Sequence, residues 1–302
     1  MKHINNTILI GPTGFLGPAF LEKDPSITAV GRSKLPNHLN NNFFHIKSDE
    51  YFHELDSLDF QNVIFLIGCS DHHLLNSHPT LAIEKNVLAL SKFLWYLKKS
   101  NRKVNKIINF TTMLQYDTSM MTLPCDENQP RNPTANNYIL SKYVSELITE
   151  QHRKDFDIID IRISNVYGPT KLIRPDIVPS IIWSLIHDKK ASVWTKKPKR
   201  DFIYVEDAVE AVLKLIKTDF SGTVNLGTGI GSTVGELCNH LEEISGINIH
   251  DQNKIVEGHM EFYQDLSLIK SLIKWEPKYT LQEGLSKTYS IMEGYYKDKN
   301  KI

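Results

Sequence analysis

The chain has 302 residues, 35 basic and 35 acidic, and therefore no formal net charge. That excludes a global field suited to nucleic acid or to a membrane surface, while leaving room for a local anion site. No segment reaches about 18 uninterrupted apolar residues, and the run Ile8–Ile10 is far too short for a signal-peptide core, so neither a membrane span nor a membrane partner is expected.

Read from the N-terminus, Thr7–Ile10 predicts a strand that runs straight into a glycine turn. Phe15–Lys23 predicts a helix stopped near Pro25, and Ile27–Val30 a second strand ending in Gly31-Arg32-Ser33. Phe43–Ile46 is a weaker third strand. Asn62–Ile67 is a continuous apolar run, the pattern of a strand buried on both faces. Leu81–Lys99 carries helical periodicity at Leu81, Val87, Leu88, Leu90, Phe93, Leu94 and Leu97. Lys106–Phe110 and Ile158–Ile163 predict strands on either side of a helix over Asn137–Lys154.

Strands alternating with helices imply parallel βαβ units, and right-handed crossovers make them an open α/β doubly wound parallel sheet. Ligands of such sheets sit beyond the carboxyl ends of the strands, where strand order reverses. After about residue 165 prolines recur and the pattern loosens, with short strands at Phe202–Val205 and Thr223–Leu226. The expected organisation is a dinucleotide-binding domain over 1–165, with about 202–230 returning to it, and a smaller substrate-binding lobe from 166–201 and 231–302. Cys69, Cys125 and Cys238 show neither metal-ligand spacing nor a paired framework, which predicts no metal, buried thiols and a reducing, cytoplasmic setting.

Gly11-Pro12-Thr13-Gly14-Phe15-Leu16-Gly17 is a G-x-x-G-x-x-G turn between a strand and a helix. Glycine there permits a tight turn and close approach of backbone to a pyrophosphate, which the helix N-terminus favours. The alternative is a glycine turn without a ligand. At the end of the second strand an acidic residue suits a free ribose 2′-hydroxyl, and an arginine a 2′-phosphate. Arg32, Ser33 and Lys34 stand there, so NADP is expected, with NAD as the alternative.

Tyr138 and Lys142 lie four apart on a predicted helix, hence one turn apart on one face. A tyrosine acting near neutrality works better with its pKa lowered from about 10. Lowering it by about three units requires roughly 4 kcal/mol. An exposed ion pair, worth at most about 1 kcal/mol, could not supply that; a partly desolvated pocket holding cofactor could.

Together these features resemble the extended short-chain dehydrogenase/reductase family, especially its nucleotide-sugar epimerases, dehydratases and ketoreductases. The resemblance also rests on VIFLIGCS (63–70), Asn86, NFTTMLQY (109–116), RISNVYGP (162–169), KRDFIYVEDA (199–208), VNLGTG (224–229) and Asp265, Ser267, Trp275 and Pro277 of the tail. It implies a Rossmann fold and a nicotinamide cofactor held by Gly11, Thr13, Gly14, Phe15, Leu16, Gly17, Arg32, Ser33, Ile67 and Gly68, together with Tyr138 and Lys142. It implies catalysis by Thr112, Tyr138 and Lys142. Thr112 would hydrogen-bond the reacting sugar oxygen, Tyr138 would act as general acid/base, and Lys142 would hold the nicotinamide ribose and lower the tyrosine pKa. Asn165 and Arg200 match positions that contact the substrate diphosphate, with Lys196, Lys197 and Lys199 adding a local basic cluster. His72 and His73 follow the fourth strand, where His72 is a candidate substrate contact. Asp207 is expected as a helix N-cap, and Asn86 as a tie between helices near the site. The helices 81–99 and 137–154 match those that pair in family dimers, so a homodimer is expected.

The chain departs from the family at Met113 and Leu114, where its 4,6-dehydratases carry Asp-Glu; neither side chain exchanges a proton, which argues against dehydration. An arginine before the tail motif is also missing, and within residues 253–257 only Lys254 could substitute. The expected function is therefore reduction of a nucleotide-linked 4-keto sugar. A 4-epimerase with tightly held NAD is the alternative, and a non-catalytic cofactor-binding regulator the competing class.

Overall fold

The computed structural model describes residues 6–39, 42–48, 52–172, 174–255 and 260–297. Its strands are β1 (Thr7–Ile10), β2 (Thr28–Gly31), β3 (Phe43–His45), β4 (Asn62–Phe65), β5 (Lys106–Thr112), β6 (Ile158–Ile163), β7 (Asn165–Tyr167), β8 (Ala191–Val193), β9 (Lys199–Tyr204), β10 (Gly222–Leu226), β11 (Gly231–Thr233), β12 (Ile249–Asp251) and β13 (Glu261–Phe262). Its helices are α1 (Leu16–Lys23), α2 (His72–Ser77), α3 (Pro79–Ile83), α4 (Ala89–Lys99), α5 (Asn137–His152), α6 (Ile177–His187), α7 (Val205–Leu215), α8 (Val234–Ser245), α9 (Ser267–Leu272) and α10 (Leu281–Lys297).

Seven strands form one parallel sheet in the order β10-β6-β5-β4-β1-β2-β3. Strand order reverses between β1 and β4, which opens a crevice beyond their carboxyl ends. β1 and β4 are mostly apolar because successive side chains serve opposite buried faces, whereas β5 and β6 add the buried polar residues Asn109, Thr111, Asp160 and Arg162. Ile8, Ile10, Val63, Phe65 and Ile107 pack with Phe93, Leu94 and Leu97 of α4. Leu9, Ile64, Ile108 and Phe110 point the other way, into a core shared with Phe20 of α1 and Val209 of α7.

The helix expected over 81–99 is continuous in direction but not in geometry. A five-residue π turn, Glu84–Leu88, separates α3 from α4. The wider turn rotates the register, so Leu88, placed in the core by a 3.6-residue period, is 42% exposed. β5 extends past Phe110 because Thr111 and Thr112 still pair with Arg162 and Ile163 of β6. The chain returns to the large sheet over less of its length than 202–230: β10 pairs with β6, whereas β9 pairs with β7, β11 and β13 in a separate small sheet. Asp207 is not an N-cap. It lies in the first turn of α7, and its carboxylate accepts the backbone N–H groups of Lys278 and Tyr279, both at 3.0 Å, fastening the tail.

Candidate active site

The glycine turn follows β1 directly. Gly11 has φ +86°, a left-handed conformation that favours glycine. Gly17 serves packing instead: an added Cβ would stand 2.0 Å from the Pro12 carbonyl oxygen, so only glycine lets α1 seat against the turn. No acidic side chain occupies the first turn of α1, and Phe15 supplies no side-chain cap, which leaves its N-terminus suited to an anion.

A cavity of about 660 Å³ lies over this turn, lined by Gly11, Thr13, Gly14, Arg32, Ser33, Ile67, Gly68 and Cys69, with Glu84, Lys85, Leu88 and Lys92 across from them. A second cavity, of about 440 Å³, shares Gly14 and Leu66–Cys69 with the first and continues past Phe15 and Leu16 to His72, Thr112, Tyr138, Lys142 and Asn165. The two cavities abut at the switch point, the first holding the glycine cradle and the basic residue at the end of β2, the second the tyrosine–lysine pair. These residues fit a dinucleotide laid across both cavities. Gly17 is the one expected cofactor contact that lines neither cavity.

Three elements bring the candidate catalytic side chains together. Thr112 ends β5, and its hydroxyl accepts the backbone N–H of Leu114 at 3.2 Å, while the residue lines the same cavity as Tyr138. Tyr138 sits in the first turn of α5, which is capped by Asn136 accepting the N–H of Ile139 at 2.9 Å. One turn on, the Lys142 ammonium donates to the Phe110 carbonyl at 2.9 Å. Gly68 permits this close fit: an added Cβ would lie 3.0 Å from Asn86 Oδ1 and 3.4 Å from Lys142 Nζ. Asn86, in the π turn, accepts the N–H of Cys69 at 2.7 Å and donates to Cys69 O and Ser141 Oγ, joining the β4 loop, the π turn and α5.

Burial pushes the Tyr138 phenol up to about 12, with Asp176 and Cys69 adding to it and Thr112 and Arg174 opposing. The main influences therefore do not include the neighbouring ammonium that the tyrosine–lysine spacing suggested. Burial lowers Lys142 itself to about 8.

Asn165 lines the catalytic cavity and donates to Asp201 O at 3.2 Å. Arg200 does not line it; its guanidinium donates to the Lys199 carbonyl at 2.8 Å on β9. The basic cluster before it is largely neutralised, with Lys196 on Glu242 at 2.9 Å and Lys199 on Glu261 at 3.0 Å. The Lys254 ammonium lies 5.6 Å from the Trp194 ring, and Val256 and Glu257 fall outside the described residues.

Sequence reasoning missed Arg174 and Asp176, which precede α6 and line the catalytic cavity. They pair at 2.5 Å, and the Arg174 guanidinium lies 4.4 Å over the Phe15 ring. His72 stacks on Tyr138, with ring centroids 4.1 Å apart and planes 25° apart. Among the described residues, no group of three or more His, Cys, Asp or Glu is placed to hold a metal ion, and no helix is long and apolar enough to cross a membrane.

A family model described as the NAD dependent epimerase/dehydratase family matches residues 7–227. The chain is 32% identical over 187 residues to a probable GDP-L-fucose synthase 1 of Oryza sativa subsp. japonica, covering 55% of this chain and 56% of that protein. It is 29% identical over 213 residues to a dTDP-D-glucose 4,6-dehydratase of Bos taurus, covering 66% and 59%. The chain thus spans under two thirds of the length of these curated relatives. Among solved structures, a UDP-glucose 4-epimerase of Thermotoga maritima with UDP-glucose superposes with a TM-score of 0.86 at 21% identity, covering 96% of this chain and 99% of that one. At that identity the likeness is one of fold: the α/β doubly wound parallel sheet.

Proposed function

The chain belongs to the NAD dependent epimerase/dehydratase family, and from that premise we propose that it reduces a nucleotide-linked 4-keto sugar with NADPH. The observation that carries this reading is the pair of adjoining cavities, one with Arg32 and Ser33 and the other with Thr112, Tyr138 and Lys142. The nicotinamide cofactor, when bound, supplies the hydride. Thr112 holds the substrate carbonyl oxygen by a hydrogen bond, and Tyr138 donates its phenolic proton to that oxygen. Lys142 holds the cofactor ribose. Leu114, lining the cavity, and buried Met113 offer no group that could remove water from the sugar.

A 4-epimerase holding NAD is the second reading. The family description favours it. A panel of nucleotide sugars and their 4-keto forms, assayed with NADPH and NADH, separates the two. Reduction predicts net NADPH consumption and tighter binding of NADPH than NADH, the difference being largely lost in Arg32→Ala. Tightly retained NAD with no net NADPH consumption overturns it.

The proposed assembly is a homodimer in the cytoplasm. Leu88, Trp95, Leu140 and Leu147 lie exposed on or beside α4 and α5, and Cys69, Cys125 and Cys238 are free thiols. A sedimenting monomer at micromolar concentration would contradict the dimer. The proposed division gives residues to about 165, with α7 and β10, to the cofactor, and the remaining segments to the sugar.

A further inference from the structure

We propose that His72 is a positioning residue for Tyr138: its imidazole, stacked on the phenol, fixes the ring, and its protonation sets how readily that ring gives up a proton. The proposal rests on the reading of Tyr138 as the acid/base, and deepens it into a means of regulating the site by pH.

The geometry is specific. The two ring centroids are 4.1 Å apart with planes 25° apart, so the rings meet face to face and no ring nitrogen of His72 is aimed along the plane at the phenol oxygen. A direct proton relay is thereby excluded, and the coupling left is electrostatic and steric. The stack is held from both sides. Asp71 caps α2 by accepting the N–H of Leu74 at 3.0 Å, which sets His72 as the first residue of the helix. Asn76, one turn on, accepts the N–H of Tyr138 at 3.4 Å, and its carbonyl accepts from Asn137 Nδ2 at 3.1 Å. α2 is therefore clamped to the start of α5, which holds the backbone of His72 beside Tyr138.

The charged surroundings decide when the imidazole ionises. Asp71 and His73 face it from its own segment, the first favouring and the second opposing the imidazolium. Asp176 faces it from the segment before α6 and favours the imidazolium, but burial outweighs both carboxylates and holds His72 below its usual 6.5. At neutral pH the ring is uncharged and acts only as a platform. On acidification it becomes a cation against the face of Tyr138, where Arg174, Asp176 and Cys69 already act on the phenol. A cation there favours the phenolate and makes the tyrosine a stronger acid.

The test needs no substrate. Full-length protein saturated with NADP⁺ is labelled at tyrosine ¹³Cζ and histidine ¹³Cε1 and titrated by NMR, with Tyr138→Phe and His72→Phe assigning the two signals. The expected result is one inflection below pH 6.5 common to both signals, lost from the tyrosine signal in His72→Phe and moved to lower pH in Asp176→Asn. A tyrosine signal that stays still through the His72 titration overturns the proposal, as does an inflection that persists in His72→Phe. Once the sugar panel yields a turnover, the rate of reduction should rise several-fold as wild type is acidified through that inflection, and stay flat in His72→Phe. Failure of the panel alone would strike the reductase reading and leave the titration standing as the test of the stack.

Discussion

At Tyr138, burial and reactivity pull in opposite directions. The side chain is 6% exposed, and that burial disfavours the phenolate that proton transfer leaves behind. Replacing Tyr138 by Phe removes the proton and should lower kcat by about 10²–10⁴-fold, read by turnover at saturating cofactor. Thr112→Val should cost about 10²-fold in kcat, since it removes one donor to the reacting oxygen. Lys142 gives a pH signature of its own. With the amine lowered to about 8, the ammonium is present below that value and lost above it. Cofactor affinity should therefore weaken from pH 7 to 9.5 in wild type, and be weak and flat in Lys142→Met. These three residues were legible in the sequence because each stands beside a recognisable strand end or helix start. Arg174 and Asp176 were not, because they lie in a proline-rich loop without periodicity and face the site only through the tertiary fold. Arg200 shows the reverse: its motif was clear, but its guanidinium turns back on its own strand.

Among the elements, the strand–turn–helix unit at the N-terminus was fully readable, because glycine spacing and an apolar run constrain backbone and burial together. Gly17→Ala tests that constraint. A methyl group 2.0 Å from the Pro12 oxygen must displace turn or helix, so a loss of about 1–3 kcal/mol in stability is expected by denaturant titration, with weaker cofactor binding. The π turn at Glu84–Leu88 was not readable. Hydrophobic periodicity assumes 3.6 residues per turn, and nothing in EKNVL announces a wider one. Its position has a structural correlate in Asn86, whose amide reaches both Cys69 and Ser141 from within it.

Across the whole molecule, a buried ionic network ties α5 to β5 and β6. Glu146 of α5 accepts from Arg162 of β6, from Gln115 Nε2 at 2.7 Å and from Arg131 at 2.8 Å. Asp160 accepts from Asn109 at 2.6 Å, Thr149 at 2.5 Å and Arg153 at 2.6 Å. Burial, then the charge of Glu146, push the Asp160 carboxyl up to about 7. Unfolded, it would titrate near 3.9. Between those values the folded state binds the extra proton, so this residue's contribution to stability is complete below about pH 4 and lost as pH rises towards 7. Burial pushes Glu146 up as well, but Arg162, Gln115 and Arg131 more than offset it and hold the carboxyl below its usual range. Its contribution therefore has the opposite sign and is lost only on acidification below about 4.3. Thermal unfolding from pH 5 to 7 should show a Tm that declines with pH relative to Asp160→Asn. Overall topology was legible because alternation of strand and helix leaves few ways to close such a sheet. The small sheet around β9 was not, because its strands are short and pair across distant segments.

One contact at this scale joins the glycine turn to the segment before α6, both of which line the second cavity. Phe15 belongs to the turn that would cradle the cofactor, and Arg174, lying over its ring, belongs to the segment that walls the sugar end. Whatever orders one of them acts on the other. Linkage then requires reciprocity: if cofactor tightens the sugar by some factor, the sugar tightens cofactor by that same factor. On the proposed reading, the two binding events would be coupled through this one stacked cation. Arg174→Ala should pull that factor towards one, measured as cofactor affinity with and without nucleotide sugar, while Phe15→Leu should do the same from the opposite side.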